Sequence, residues 1–266
     1  MHKLSVIIIT RDEEKNIERC LKSVLWADEI VVVDSGSTDR TMAIAKKHTR
    51  KIIQREWPGY AAQKAFALGR ASHDWVLSID ADEEVTEPLR EEIRTLLEGE
   101  PACDGYRIPR KANFLGGWIT HCGWYPDYQL RLFRKDRASI STTRRIHEGF
   151  EVAGQAGRLN GLIHHYTFTA IHQYFDTMNR YTDLHARDRM EARPGLRVRC
   201  YHFILNPLSK FLRMYAGKRG FLDGWQGFLL CWFSSIYTLV LYAKIWEMQK
   251  RNGKGRMGGR SADATR

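Results

Sequence analysis

At residues 74–83 the sequence reads DWVLSIDADE, an apolar run that ends in a cluster of acids. A short run of Trp, Val, Leu and Ile is typical of a buried strand. Such a strand delivers its last side chains to the carboxyl edge of an open α/β sheet, where ligands bind. Carboxylates at Asp80, Asp82 and Glu83 repel one another unless a cation or hydrogen-bond donors relieve them. An acidic surface turn would look the same, so the neighbouring sequence has to decide.

Length and composition indicate one α/β domain with an appendage. The chain has 266 residues, of which 43% are hydrophobic, enough for a sizeable core. Its cysteines are scattered and form no CxxC pair, and Met1-His2-Lys3-Leu4 leads into a strand rather than into the apolar region of a signal peptide. We therefore expect free thiols in a reducing cytoplasm.

The charge is unevenly distributed along the chain. Residues 1–186 hold 26 basic and 26 acidic residues, whereas residues 187–266 hold 16 basic and 5 acidic ones and account for the net charge of +11. A basic C-terminal segment can bind nucleic acid, an anionic membrane surface or an acidic substrate.

Strand and helix patterns alternate through the first hundred residues. Apolar runs predict strands at 4–10, 30–34, 52–53 and 75–80, and the second and fourth of these end in an aspartate. Helical spacing predicts helices at 13–25, from the turn at 35–39 to Ala45, and at 60–71. This alternation predicts a parallel, doubly wound sheet.

The predicted sheet brings Asp34 to the same edge as Asp80 and Asp82. We expect a nucleotide site there, with Asp34 bonded to a base or ribose and the Asp80–Asp82 pair holding a metal on the diphosphate. Residues 34–39 taken alone could equally be a turn that caps a helix. No GxGxxG follows the first strand and no GxxxxGK[ST] occurs, which argues against a dinucleotide-binding dehydrogenase or a P-loop enzyme.

Three motifs in this order resemble those of a family 2 glycosyltransferase. They read SVIIITRDEE at 5–14, VVVDSGSTDRT at 31–41 and WVLSIDADE at 75–83. The resemblance implies a GT-A fold with a Rossmann-like, mostly parallel sheet, a nucleotide-sugar donor, a divalent metal (Mn²⁺ or Mg²⁺) and inversion at the anomeric carbon. Within the family, the chain is most similar to the lipopolysaccharide inner-core β-glucosyltransferases, which implies UDP-glucose as donor and inner-core heptose as acceptor.

The resemblance also implies the donor-binding residues. Asp80 is assigned to the ribose or sugar of the donor, Asp82 to the metal, and Glu83 to a supporting contact. The full donor-binding set is Thr10, Arg11, Glu13, Asp34, Ser35, Gly36, Ser37, Lys64, Asp80, Ala81 and Asp82.

Residues 101–170 form the predicted acceptor half. Apolar and basic residues alternate at 106–110 and 129–134, as in half-exposed strands. The charge of these strands predicts that four arginines face an acidic head group of the acceptor: Arg107, Arg110, Arg131 and Arg134. The glycine- and aromatic-rich segment 113–127 suits either a sugar-stacking surface or a packed loop core.

An inverting transfer needs a base that takes the proton of the acceptor hydroxyl. The candidates are Glu148, in the sequence RIHEG at 145–149, and Asp127. Relatives carry a His-Glu element here, which favours Glu148, although His147-Glu148 could also be a loop partner of a neighbouring arginine. The resemblance further implies that His165 joins Asp82 in the metal site, and an imidazole ligand would favour Mn²⁺ over Mg²⁺.

The C-terminal region is basic and aromatic. A helix is predicted at 171–193, an amphipathic helix with a basic face at 201–215, and a run of 20 uncharged residues lies between Asp223 and Lys244. Such a run can span a bilayer, lie in its interface or pack as a buried helix pair. Ser234, Ser235 and other polar residues within the run favour the interface.

The predicted organisation has three parts. Residues 1–170 form a GT-A catalytic domain, with a nucleotide-sugar half (1–100) and an acceptor half (101–170). Residues 171–251 form a helical, basic, membrane-associating region, and residues 252–266 a disordered tail.

The predicted function is a metal-dependent inverting glycosyltransferase, peripheral on the inner face of the cytoplasmic membrane, with a glycolipid acceptor. A transferase that charges polyprenyl phosphate shares the first hundred residues and stays open. A non-enzymatic basic protein that binds membranes or nucleic acid is disfavoured, because the basic residues border aliphatic runs rather than polar, base-stacking surfaces.

Overall fold

The computed structural model describes residues 2–140 and 149–258, with side chains through Arg251. The chain divides into two compact units. The first unit contains Met1–Asn113 and Trp124–Thr167, and the second contains Phe114–Gly123 and Phe168–Arg266.

The strands are β1 Leu4–Thr10, β2 Glu29–Asp34, β3 Lys51–Gln54, β4 Trp75–Asp80, β5 Glu83–Val85, β6 Gly105–Phe114, β7 Gly117–Trp118, β8 Asp127–Arg134, β9 Ala138–Ile140, β10 Phe150–Val152, β11 Ala156–Arg158 and β12 Ile163–Phe168. The helices are α1 Ile17–Lys22, α2 Thr41–Ala45, α3 Tyr60–Arg70, α4 Glu87–Glu98, α5 Ile171–Ala192, α6 Cys200–Leu212 and α7 Gly224–Gly258.

The predicted parallel sheet is confirmed in its first four strands. They run in the order β3-β2-β1-β4 and pair in parallel. All seven residues of β1 are buried, because its uncharged β-branched side chains are covered on both faces of the sheet. The sheet then continues as β8-β6-β12-β5, where β8 pairs antiparallel with both β4 and β6, and β12 pairs antiparallel with β5. The fold is therefore mixed α/β, as expected for a GT-A architecture. Its sheet is mixed, and the Rossmann-like half, β3-β2-β1-β4, is parallel.

Helix α4 shows how the sequence sets a local element in this unit. Pro88 stands in its first turn, where the missing N–H costs no helical hydrogen bond. Its apolar residues Leu89, Ile93 and Leu97 recur every fourth position and are buried against the sheet core. Gly161 packs so closely on this helix that an added Cβ would lie 2.4 Å from the Cα of Leu89.

The second unit is helical and includes the segment between β6 and β8. Helix α6 passes through a π-helical turn (Arg213–Gly217) and a 3₁₀ turn (Gly220–Asp223) into α7. Phe114 is fully buried, with its ring 6.3 Å from Phe168, 5.9 Å from Tyr174 and 6.2 Å from Phe233. At Phe114, the aromatic segment is therefore a packed core rather than an open sugar-stacking surface.

A buried carboxylate fastens the same segment to the C-terminal helices. Asp223 accepts hydrogen bonds from the backbone of Thr120 (3.1 Å) and His121 (2.8 Å), and from the Thr120 hydroxyl (2.7 Å). The predicted tail, 252–266, follows this region. Its backbone continues α7 as far as Gly258, and residues 259–266 lie outside the described part of the chain.

Candidate functional site

The carboxyl ends of three neighbouring strands bring the predicted donor residues to one edge of the first unit. Thr10 is in register with Asp34 across β1 and β2, and Ile9 is in register with Asp80 across β1 and β4. The acidic strand ends singled out from the sequence are therefore neighbours in the structure.

Asp34 shapes the loop that follows β2. Its buried carboxylate accepts hydrogen bonds from the backbone of Gly36 (3.0 Å) and Ser37 (3.1 Å), and from the Ser37 hydroxyl. Gly36 has φ of +82°, a left-handed conformation that glycine adopts without strain. Ser35 accepts a hydrogen bond of 3.0 Å from the Gln63 amide. Asp34 thus holds this loop in shape, and at its end Asp39 accepts a hydrogen bond of 2.9 Å from the N–H of Thr41, where α2 begins.

The loops after β1 and β2 are tied together by hydrogen bonds that the sequence analysis missed. Asp12 accepts a hydrogen bond of 2.7 Å from the Thr38 backbone, and its own N–H donates to the Ser37 hydroxyl at 2.9 Å. The Glu13 and Glu14 N–H groups donate to Thr41 (2.7 Å) and Asp39 (3.0 Å). Motifs that are separate in the sequence therefore form one rim, which carries Thr10, Arg11 and Glu13.

Asp80 lies between two cations. Lys64 Nζ is 2.8 Å from its Oδ1, and Arg131 Nη2 is 2.8 Å from its Oδ2. Burial alone would raise the pKa of Asp80, but the charges of Arg131 and Lys64 hold it well below its usual range. The Asp80 side chain therefore stays a carboxylate in a fixed orientation.

Glu83 contacts Asp80 and its cation Arg131, in line with its assignment to a supporting contact. Its side chain is fully buried, and its Oε2 accepts a hydrogen bond of 2.8 Å from the Asp80 backbone. Its Oε1 lies 2.5 Å from Arg131 Nη2 and 3.3 Å from Arg110 Nη1.

The expectation that Arg131 faces an acidic acceptor group is wrong. Only 5% of this residue is exposed, because it neutralises Asp80 and Glu83 inside the unit. Arg110 is likewise paired, with Glu83 and with Asp127. The alternation along β8 predicts a half-exposed strand, yet Leu130 through Phe133 are all buried. The pairing of β8 with β6 shifts by one residue at this point, from Leu132 opposite Tyr106 to Leu130 opposite Arg107, so the alternation of faces does not hold at Arg131.

Asp82 and His165 lie close together beyond the end of β4. Asp82 Oδ2 is 3.1 Å from His165 Nε2, and 26% and 14% of the two side chains are exposed. Because the Asp82 carboxylate only accepts hydrogen bonds, His165 Nε2–H donates to it in this structure. The Thr167 hydroxyl lies 3.0 Å from His165 Nδ1, so Nδ1–H could donate to Thr167 if a cation took the place of the Nε2 proton.

These two side chains fit a hard divalent cation. Adjacent ligands of an octahedral ion lie about 3 Å apart, close to the observed separation. Among residues 2–140 and 149–251, no group of three or more His, Cys, Asp and Glu side chains could hold a metal ion. The pair Asp82 and His165 is therefore smaller than a complete metal site within the part of the chain that the structure describes.

Glu13 adds a titratable carboxyl beside this pair. Burial raises its pKa to about 7, the nearby charges of Asp82 and Asp39 add to the rise, and a hydrogen bond from Asn16 opposes it. Glu13 therefore changes its charge near neutral pH.

Of the two candidate bases, Asp127 is already bonded. Its Oδ2 accepts two hydrogen bonds from Arg110, at 3.0 and 2.8 Å, and its Oδ1 accepts one from Gln129 at 2.7 Å. Glu148 lies outside the described residues.

Comparison with known proteins identifies the family. The family model "Glycosyl transferase family 2" matches residues 5–165. The chain is 32% identical to the lipopolysaccharide core biosynthesis glycosyltransferase LpsC of Rhizobium meliloti (strain 1021), over 92% of each protein. It is 30% identical to an uncharacterized glycosyltransferase of Rickettsia typhi, covering 96% of this chain and 90% of that protein.

A solved structure shows the same fold. The mannosyltransferase PcManGT from Pyrobaculum calidifontis, solved in complex with GDP-Man and Mn²⁺, superimposes with a TM-score of 0.55 at 15% identity, covering 92% of this chain and 88% of that one. With the motifs, the sheet and the full-length relatives in agreement, the chain belongs to glycosyl transferase family 2.

Proposed function

We propose that the protein is a metal-dependent, inverting glycosyltransferase that moves glucose from UDP-glucose to a lipid-linked saccharide, the inner-core heptose of lipopolysaccharide. The observation that carries the proposal is the pairing of Asp82 with His165 at the edge where Asp80 is held between Lys64 and Arg131. Similarity to LpsC, named for lipopolysaccharide core biosynthesis, supports the acceptor class.

Asp82 and His165 would hold the metal, and oxygens of the donor diphosphate would complete its shell. The bound cation would offset the negative charge of the leaving diphosphate. An imidazole ligand favours Mn²⁺ over Mg²⁺.

The protein's own groups then orient the donor and remove a proton. Asp80, kept ionised by Arg131 and Lys64, would accept hydrogen bonds from the ribose or sugar hydroxyls of the donor. The loop shaped by Asp34 would position the base. Glu148 would take the proton of the acceptor hydroxyl, because Arg110 and Gln129 already occupy the carboxylate of Asp127.

In this proposal the acceptor determines where in the cell the enzyme acts. Lipid-linked saccharides are presented at a membrane, so we assign the enzyme to the cytoplasmic side, peripheral on the inner face of the cytoplasmic membrane. Among the described residues, Gly220–Arg251 is the one helical segment long and apolar enough to cross a bilayer by length and composition, which is compatible with membrane association.

Transfer assays with a panel of nucleotide sugars, with Mn²⁺, Mg²⁺ or EDTA, test the proposal. We expect turnover with UDP-glucose and Mn²⁺, a β-linked product by NMR, and no turnover in EDTA. Asp82→Asn and His165→Ala should each lower kcat by about 10²-fold or more and raise the Mn²⁺ concentration needed for half-maximal activity. Asp74→Asn, at the opposite end of β4, and His172→Ala, at the exposed start of α5, are matched controls that should keep full activity.

Full activity in EDTA or in Asp82→Asn would contradict the metal site. Transfer to a polyprenyl phosphate in preference to a heptose-containing glycolipid would replace the proposed acceptor with the alternative one and leave the donor site intact.

A further inference from the structure

Exposed apolar side chains are concentrated in the second unit. Among the described residues outside 201–246, only Leu25, Trp57, Tyr60 and Ile171 expose a large hydrophobic side chain. Scattered residues of this kind are ordinary, whereas a contiguous group marks a binding surface.

Helix α6 carries the first part of that group. Its residues Tyr201, Ile204, Leu205, Leu208 and Leu212 are 46%, 65%, 58%, 49% and 53% exposed. At 100° per residue these positions fall within an arc of about 100° on one side of the helix. The opposite side is buried through His202 and Pro207, and Ser235 of α7 donates a hydrogen bond of 2.7 Å to the Pro207 carbonyl. Helix α6 is therefore amphipathic with its apolar side uncovered.

The turn after α6 and the start of α7 continue this surface. Phe221, Leu222 and Trp225 are 49%, 55% and 76% exposed. Half-buried rings connect them to α6: the Tyr215 ring lies 5.2 Å from Phe211 and 6.2 Å from Phe221. We call the exposed side chains of α6 together with Phe221, Leu222 and Trp225 the docking face.

Basic residues border the docking face. Arg213 and Lys218 lie exposed in the turn between α6 and α7, next to Arg219. The acid in residues 200–243 is Asp223 alone, and its carboxylate is buried against Thr120 and His121. An apolar surface with a cationic border is complementary to a bilayer that contains anionic phospholipid.

The other side of α7 argues against a membrane span. Leu241 and Ile245 pack on Ala186 of α5, and Lys244 lies 2.8 Å from Asp183 of α5. Arg189 of α5 donates a hydrogen bond of 2.9 Å to the Tyr242 hydroxyl. A span through α7 would carry these charged groups of α5 into hydrocarbon, which is costly. Helix α7 is therefore packed on α5 by this side, whereas the docking face is exposed.

We infer that the docking face inserts in the plane of an anionic bilayer, with α6 lying in the headgroup region and α7 not crossing the membrane. Trp225 and Tyr201 suit this depth because their rings have apolar bodies and polar edges. The inference deepens the proposed function, on which it rests for the membrane-bound acceptor. It names the surface that would hold the enzyme at the membrane where that acceptor lies.

Vesicle flotation of the full chain tests the inference without donor, acceptor or metal, so its outcome is independent of the proposed transferase activity. The probe vesicles are pure phosphatidylcholine, and phosphatidylcholine with about 30% phosphatidylglycerol. We expect binding to the anionic vesicles that weakens with salt. The triple variant Leu205→Ser, Leu208→Ser, Trp225→Ser should partition at least about tenfold more weakly.

A matched control replaces exposed side chains elsewhere: Leu25→Ser, Trp57→Ser, Ile171→Ser. It should bind vesicles as the unchanged protein does. The double variant Arg213→Gln, Lys218→Gln should bind the anionic vesicles more weakly, and its binding to pure phosphatidylcholine vesicles should be unchanged. Circular dichroism and thermal unfolding show whether each variant is folded, and if the triple variant is not, single substitutions at Leu208 and Trp225 replace it.

Three results would overturn the inference. One is unchanged vesicle binding by the folded triple variant. Another is a dimer, seen by light scattering, that the triple variant converts to a monomer without losing vesicle binding, because the face would then join two copies of the chain. The third is retention of the protein in cell membranes after alkaline carbonate extraction, as expected of a spanning helix.

Discussion

Arg131 places one guanidinium against two carboxylates inside the first unit. Removing it would take a cation from both carboxylates, leaving Asp80 paired with Lys64 and the buried Glu83 paired with Arg110 at 3.3 Å. Breaking a buried ion pair by removing one partner costs about 3–5 kcal/mol. We expect Arg131→Met to lower the free energy of unfolding in urea by about 3 kcal/mol or more. Arg134→Met, exposed on the same strand, should change it by less than about 0.5 kcal/mol.

A second substitution separates charge from packing at this position. The double variant Arg131→Met, Glu83→Gln should lose less stability than Arg131→Met alone, because one of the two carboxylates that Arg131 neutralised is then uncharged. Equal losses in the single and double variants would show that the guanidinium acts through packing instead.

Glu13 makes the stability of the protein depend on pH. Its pKa in the folded chain, about 7, lies above the ordinary value of 4.5, so folding favours the protonated form. The folded state is therefore penalised as pH rises from 4.5 through 7, by up to about 3 kcal/mol. Glu13→Gln should be more stable than the unchanged protein at pH 8 and equally stable near pH 4.

Unfolding curves in urea at both pH values check this prediction, with the exposed Glu98→Gln as a control that should follow the unchanged protein. A constant stability difference between pH 4 and 8 would contradict it. We also expect Glu13→Gln to weaken donor binding, because the residue lies on the proposed donor rim.

At the scale of elements, Gly161 sets how closely the chain before β12 approaches α4. Alanine at this position would place its Cβ 2.4 Å from the Leu89 backbone, which cannot move without displacing the helix. We expect Gly161→Ala to lower the midpoint of thermal unfolding by several degrees, as overpacking costs about 1–3 kcal/mol. Gly69→Ala in α3, where an added Cβ meets nothing within 4 Å, should instead be neutral or stabilising.

The elements that could be predicted from the sequence are those with a strong local signal. Apolar runs predicted β1, β2 and β4 nearly to the residue. Helix α1 was predicted at 13–25 but spans Ile17–Lys22. Turns already form from Glu13, whose carbonyl accepts from the N–H groups of Asn16 and Ile17, while the N–H groups of Glu13 and Glu14 bond to Thr41 and Asp39, which are distant in sequence. Local periodicity cannot report such a partner.

The candidate site divides in the same way. The resemblance to the family assigned Asp82 and His165 to one metal site, and the structure places their side chains 3.1 Å apart. The burial of Arg131 depends on pairing between β4 and β8, which are about fifty residues apart in sequence, so its ion pairs with Asp80 and Glu83 could not be seen in either segment alone.

At the scale of the molecule, we expect that the predicted catalytic domain, residues 1–170, does not fold well without the C-terminal helices. The predicted domain 1–170 ends where α5 begins, yet it contains Phe114 and Cys122, whose partners Phe233 and Cys231 lie in α7. We expect residues 1–170 to be largely insoluble, since these buried groups would face water. A chain ending at Arg251 is the control and should unfold cooperatively. A soluble, cooperatively folded 1–170 fragment would contradict the prediction.

The segment Phe114–Gly123 has a consequence for how such enzymes diversify. Because the backbone leaves the first unit at Phe114, returns at Trp124 and leaves again at Phe168, no single recombination point separates the two units. An exchange of the C-terminal helices between relatives would need matching changes at two distant places in the gene. The alignment with LpsC, which runs through 92% of both chains, is what inheritance of the two units as one block would leave.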